Sequence, residues 1–145
     1  MPRPYCIAIA GGSGAGKSWL AQRLAQQLAA TIVCLDSYYR DLSELELAAR
    51  AHGNFDHPDA LDWDLMLEQF QTLAGGRAID QPLYSFVTHT RTGETRRIRP
   101  GRFVLFEGLF ALYDERVRAL CGTKVFVEVA DGLCLARRLE RDVRE

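Results

Sequence analysis

The chain lacks a dominant charge: 18 basic residues against 19 acidic ones leave a formal charge of −1 over 145 residues. No global field therefore draws it to nucleic acid or to an anionic membrane, and any positive patch has to be local. Lysine is scarce, with only Lys17 and Lys124, so arginine carries nearly all the positive charge. That is a chain-wide bias and assigns no function by itself. Cysteine is sparse and scattered: Cys6, Cys34, Cys121 and Cys134 form no C-x-x-C pair, which removes the usual redox and zinc spacings. Cys6 and Cys34 fall inside apolar strand-like runs and read as small buried hydrophobes. Free thiols are expected, with a disulfide between strands as the alternative. There is no apolar run approaching the roughly 20 residues that span a membrane, and no secretory h-region. A cytoplasmic protein with no membrane partner is the expectation. No repeat, low-complexity tract or linker divides the sequence, and 48% hydrophobic with 26% charged residues is ordinary for one globular domain over residues 1–145.

What is present is concentrated near the start. Gly11-Gly12-Ser13-Gly14-Ala15-Gly16-Lys17-Ser18 matches the phosphate-binding pattern G-x-x-x-x-G-K-[ST] in full. Before it, Tyr5-Cys6-Ile7-Ala8-Ile9-Ala10 is an apolar run of buried-strand type; after it, residues 19–30 carry Leu20, Leu24 and Leu28 four apart, as on a helix. A strand-to-helix turn is the context the pattern needs. Glycines let the backbone curl with its N–H groups inward, and the helix start adds a partial positive charge facing the same hollow. Lys17 would reach the β/γ-phosphates of a nucleotide and Ser18 would place its hydroxyl on Mg²⁺. A turn that only joins strand to helix has no need of these residues in that register.

Beyond the motif, Thr31-Ile32-Val33-Cys34-Leu35 reads as a second buried strand ending directly in Asp36. Ligands of open α/β sheets bind beyond the carboxyl ends of strands, so Asp36 would share an edge with the phosphate loop. Residues 43–51 lean helical, and 54–62 is a turn-rich stretch with three carboxylates. Residues 63–74 place Met66, Phe70 and Leu73 on one helical face, closed by Gly75-Gly76. Residues 79–98 read as irregular strand, loop and hairpin laid over the sheet's edge. The turn is expected at Thr92-Gly93-Glu94, with Arg96, Arg97 and Arg99 on a solvated face. Phe103-Val104-Leu105-Phe106 is a strand capped by Glu107, which should lie beside Ser18 and hold Mg²⁺ or its water. A short helix follows with Asp114 at its start and Val117 and Leu120 inward, then a strand over 124–129. A last helix over 132–145 carries Arg137, Arg138 and Arg141. The alternation predicts an α/β fold of the P-loop NTPase type, with a mostly parallel sheet, helices on both faces, and a small hairpin and loop region for the substrate.

Two classes compete, a nucleotide-hydrolysing switch or motor and a kinase with a small hydroxyl acceptor. D-x-x-G and N-K-x-D, expected of a guanine-nucleotide switch, are both missing, whereas Asp36 stands where a proton acceptor for a hydroxyl is needed. The segments Asp36-Ser37-Tyr38-Tyr39-Arg40-Asp41, Asn54-Phe55-Asp56-His57-Pro58, Pro82-Leu83-Tyr84, His89-Thr90-Arg91, Phe106-Glu107-Gly108 and Arg137-Arg138-Leu139-Glu140-Arg141-Asp142, in this order around the phosphate motif, resemble the uridine kinase (uridine–cytidine kinase) family. The resemblance implies ATP- and Mg²⁺-dependent phosphorylation of the 5′-hydroxyl of uridine or cytidine in pyrimidine salvage, by an enzyme that commonly forms homo-oligomers and binds no nucleic acid. It implies Asp36 as catalytic base together with Lys17. The nucleotide would lie on Gly11, Gly12, Ser13, Gly14, Ala15, Gly16, Lys17, Ser18 and Arg141, and Mg²⁺ on Ser18 and Glu107. Tyr39, Phe55 and Phe86 would line the nucleoside pocket, Asp56 and Arg138 would hold the ribose hydroxyls, and Tyr84 and His89 would read the pyrimidine edge. The chain departs from the family at Ser85, where an acid is usual, and the family's C-terminal lid and adenine side are expected to be missing after Glu145. A kinase of the pantothenate or phosphoribulose type, or a nucleotide-binding module without catalysis, are the alternatives.

Overall fold

The computed structural model describes residues 3–12, 15–41, 57–88 and 90–128. In chain order these form β1 (Tyr5–Gly11), α1 (Lys17–Leu28), β2 (Thr31–Cys34), α2 (Trp63–Ala74), β3 (Ile79–Ser85), β4 (Thr90–Ile98), β5 (Phe103–Glu107), α3 (Glu115–Leu120) and β6 (Thr123–Val127). Four strands make a parallel sheet in the order β2-β5-β1-β6, and β3 pairs with β4 in a separate antiparallel ribbon. The expected helices over 43–51 and 132–145 lie outside the described residues.

Side-chain alternation along β1 and β5 divides the core in two. Ile7, Ile9 and Leu105 face α1, whose Leu20, Leu24 and Leu28 pack on them; Cys6, Ala8, Ala10, Val104 and Phe106 face α2 and α3. Helices thus cover both faces, as the alternation predicts. The second face is the larger core. Phe70 of α2 stacks on Phe106 at 4.0 Å and takes the edge of Tyr38 at 5.5 Å. All three are fully buried, so truncating Phe70 to alanine removes a wall of this core at about 3–5 kcal/mol. The start of α2 is set by Asp62, whose Oδ1 accepts from the Leu65 N–H at 3.2 Å, and its end by Gly76 at φ 89°.

Two expectations are corrected. The second strand stops at Cys34, and Leu35–Tyr38 forms a single 3₁₀ turn with Asp36 in it. Leu35 and Tyr38 are buried and three residues apart, the spacing at which a 3₁₀ turn aligns side chains, which leaves Asp36 on the outer side. In the ribbon the chain reverses between Ser85 and Thr90, not at Thr92-Gly93-Glu94. Those three residues sit opposite Leu83 alone, between the pairs Pro82–Thr95 and Tyr84–Arg91. They form a bulge, and Gly93 at φ 82° supplies its left-handed residue. A lone glycine in a strand marks a bulge as readily as a turn. Arg96, Arg97 and Arg99 are exposed, with Arg97 paired to Asp80 at 3.2 Å. Cys6, Cys34 and Cys121 are free thiols; β5 separates the strands that carry Cys6 and Cys34.

Candidate active site

The carboxyl ends of β1, β2 and β5 share one edge of the sheet, and the described motif residues, Gly11, Gly12 and Ala15 to Ser18, gather there. Gly11 ends β1 against β6, where a Cβ would meet the Val127 carbonyl oxygen at 2.7 Å. The Ala15 N–H closes a turn on the Gly12 carbonyl at 3.1 Å, and Gly16, at φ 96°, starts α1 with its carbonyl accepting from the Leu20 N–H at 3.0 Å. No side chain caps this helix and no acid sits in its first turn, so its leading N–H groups and positive dipole end are directed at whatever lies before it. Lys17 opens the helix and Ser18 follows.

The Ser18 hydroxyl donates to Glu107 Oε1 at 3.0 Å. Glu107, only 6% exposed, is the last residue of β5 and lies in register with Ile9 of β1 and Cys34 of β2. Sequence placed these two residues together across 89 positions, and they meet. A hydroxyl and one buried carboxylate at a helix start form an oxygen donor set that fits Mg²⁺, which keeps waters and phosphate oxygens rather than a full protein cage. Among the described residues no group of three or more His, Cys, Asp or Glu side chains forms such a cage.

Asp36 lies on the same edge. Burial pushes the Cys34 thiol up to about 12, and the negative charges of Asp36 and Glu107 add to the rise. One thiol therefore senses both carboxylates. The turn bearing Asp36 rests on the residue after Glu107: the Gly108 N–H donates to the Ile9 carbonyl at 3.1 Å, and a Cβ on Gly108 would lie 2.7 Å from Leu35 Cβ.

The ribbon brings three of the predicted substrate residues together. The ring of Tyr39 lies 5.5 Å from Tyr84 and 5.7 Å from Phe86, and Tyr84 lies 5.0 Å from Phe86, all tilted or edge-to-face. Tyr39 is buried, whereas Phe86 is 56% exposed. The Tyr84 hydroxyl is buried without a partner among the described residues, and its pKa is raised by burial and by the nearby charge of Asp41.

Three residues to which sequence assigned no role hold this region together. Arg91 Nη2 donates to Asp62 Oδ2 at 2.7 Å, and the Arg91 main-chain N–H donates to Asp41 Oδ1 at 3.3 Å. Burial tends to raise the Asp62 carboxyl, but bonds from Arg91 and the Leu65 N–H outweigh it and hold the group below its ordinary range. The signals were present: Asp62 precedes an apolar helical run as an N-cap, and Asp41 and Arg91 close two of the quoted segments. Of the sequence-predicted site residues, Ser13, Gly14, Phe55, Asp56, His89, Arg138 and Arg141 lie outside the described residues.

The chain is similar to known proteins. A family model described as "Phosphoribulokinase / Uridine kinase family" matches residues 6–145. A uridine kinase of Haemophilus influenzae (strain PittGG) is 43% identical over 154 residues, covering 100% of this chain and 72% of that protein. A uridine kinase of Deinococcus deserti is 41% identical over 146 residues, covering 99% and 70%. Among solved structures, phosphoribulokinase from Rhodobacter spheroides superposes with a TM-score of 0.69 at 16% identity, over 99% of this chain and 57% of that one, a likeness of fold. With a family model matching residues 6–145 and uridine kinases 41–43% identical along essentially the whole chain, the chain belongs to the phosphoribulokinase / uridine kinase family.

Proposed function

We propose that this protein transfers the γ-phosphoryl group of ATP to the 5′-hydroxyl of uridine or cytidine, as a cytoplasmic enzyme of pyrimidine salvage and a homo-oligomer. The observation that carries the reading is the cluster of Tyr39, Tyr84 and Phe86 set beside the turn of Asp36. A flat base suits such a cluster, since ring faces and edges offer apolar area, and the Tyr84 hydroxyl, unpartnered among the described residues, offers a polar contact. Relatives named uridine kinase at 41–43% identity support the same acceptor.

Gly11 through Ser18 would cradle the phosphates, with main-chain N–H groups and Lys17 facing the charge that develops during transfer. Ser18 and Glu107 would hold Mg²⁺, which when bound supplies positive charge to the transferring phosphoryl group. Asp36 would take the proton of the 5′-hydroxyl as that oxygen attacks the γ-phosphorus, and ADP leaves. By resemblance, Asp56 and Arg138 hold the ribose hydroxyls, Phe55 packs on the base, His89 reads its edge and Arg141 faces the phosphates. The test is ADP release from the full chain with Mg·ATP and a panel of uridine, cytidine, pantothenate and ribulose 5-phosphate. Turnover with the two nucleosides and not the others is expected; ATP binding without nucleoside monophosphate refutes the reading.

A further inference from the structure

Arg91 stands where the ribbon meets the catalytic edge, and none of the steps above uses it. Across the ribbon its register partner is Tyr84, so the two side chains share a face. Its guanidinium reaches Asp62 at 2.7 Å and its main chain reaches Asp41 at 3.3 Å. Asp62 is itself fixed on two sides, by the Leu65 N–H at 3.2 Å and by donating its own N–H to the Tyr38 carbonyl at 2.7 Å. Tyr38 ends the turn that carries Asp36. The neighbouring strands of chain are laced as well, with the Arg40 N–H on the Ala60 carbonyl at 2.8 Å and Tyr39 bridged to Leu61. A continuous series of bonds thus leads from the face of Tyr84, through Arg91 and Asp62, to the turn of Asp36.

Stability is a poor account of this arginine. Its side chain and that of Asp62 are 27% and 28% exposed, a setting in which an ion pair adds little net free energy. Its Nε–H is buried with no acceptor among the described residues, an arrangement that counts against the folded state. What the arginine does supply is a forked, directional link between two pieces of chain that share no backbone ladder.

We propose, resting on the nucleoside-kinase reading above, that Arg91 is a positioning residue: through Asp62 and Asp41 it holds the ribbon bearing Tyr84 and Phe86 in register with the turn bearing Asp36. It thereby sets where the acceptor hydroxyl lies relative to its base. None of these bonds runs to the phosphate loop, so nucleotide binding is independent of them. A shift of about 1 Å at a reacting centre lowers rate by on the order of a hundredfold, so a slackened link is visible in turnover.

The experiment compares Arg91→Met, Arg91→Lys and Asp62→Asn in the full chain, measuring kcat and KM for uridine and for ATP, with Tm alongside. Asparagine at 62 still caps α2 and lysine at 91 keeps the charge, so these two remain informative where Arg91→Met fails to fold. Arg91→Met and Asp62→Asn should each lower kcat/KM for uridine by about tenfold or more, with KM for ATP changed less than about twofold. Arg91→Lys should recover part of the loss, and the Arg91→Met, Asp62→Asn double variant should be no worse than either single change, because both cut one link. Uridine and ATP parameters moving in parallel, or a lower Tm with unchanged uridine kinetics, overturns the proposal. A wild-type chain that phosphorylates another hydroxyl acceptor refutes the nucleoside reading alone, and the same comparison is then made with that acceptor.

Discussion

Replacing Gly108 by alanine isolates the contact between the end of β5 and the turn of the proposed base. The added Cβ would lie 2.7 Å from Leu35 Cβ, whereas carbon atoms rest at about 3.5–4.0 Å. The opposing atom is a Cβ fixed to the main chain of a residue only 1% exposed, so no rotamer change relieves it. The backbone has to part by roughly 1 Å, and Asp36 follows Leu35 directly. Overpacking of this kind costs about 1–3 kcal/mol, and each kcal/mol lowers Tm by about 2–4 °C in a chain of this size. The same displacement of a base is worth on the order of a hundredfold in kcat. Steady-state ADP release with saturating uridine, and a thermal melt, measure the two effects. Gly122→Ala is the comparison: its Cβ would come even closer, 2.5 Å, but to the tip of the Tyr5 ring, which is 46% exposed and able to swing away. That variant should lose only the 2.7 Å Tyr5–Thr123 hydrogen bond, about 1 kcal/mol, and keep its turnover. A Gly108→Ala protein with lowered Tm and kcat within twofold of wild type refutes the coupling of this contact to catalysis.

Asp36→Asn should lower kcat by at least about a hundredfold with KM for ATP little changed, because the proton acceptor is lost and the phosphate loop is not; unchanged turnover removes Asp36 from that role. Ser18→Ala should raise the Mg²⁺ concentration for half-maximal activity by about tenfold or more, as one oxygen donor disappears. A Mg²⁺ titration coinciding with that of wild type counts against Ser18 as a ligand. Burial raises Cys6 to about 11 and Cys34 and Cys121 to about 12, from 9.0. Their folded pKa values exceed the unfolded ones, so the stability contributed by the neutral thiols is complete below about pH 9 and is lost as pH climbs through 11 to 12. At pH 8 these three thiols should resist a thiolate-directed reagent until denaturant is added; equal rates with and without denaturant would show that they are not buried.

Elements whose cause is local were legible in the sequence. The start of β1, the glycine-lysine-serine turn, the face of α2 and the acid at the end of β5 are each set by periodicity, caps or a motif within a dozen residues. The Ser18–Glu107 contact was legible too, since a parallel sheet brings strand ends to one edge. The Leu35–Tyr38 turn was not, because one 3₁₀ turn is shorter than any periodicity that marks it. The ribbon's reversal was misplaced because Gly93, the residue that suggested a turn, meets the left-handed requirement of a bulge instead. The Arg91–Asp62 pair, 29 residues apart, depends on how the ribbon docks, which no local signal encodes.

The β3–β4 ribbon and the four-stranded sheet share no strand. A bulge, insertion or exchange between residues 79 and 98 resets the ribbon's own register and leaves β1, β2 and β5, which align Ser18 with Glu107, untouched. On the proposed reading, the segment that meets the acceptor can therefore change without disturbing the strands that carry the phosphate chemistry. On that reading, residues 79–98 and their ties to Asp41 and Asp62 are the part to exchange when a different acceptor is wanted.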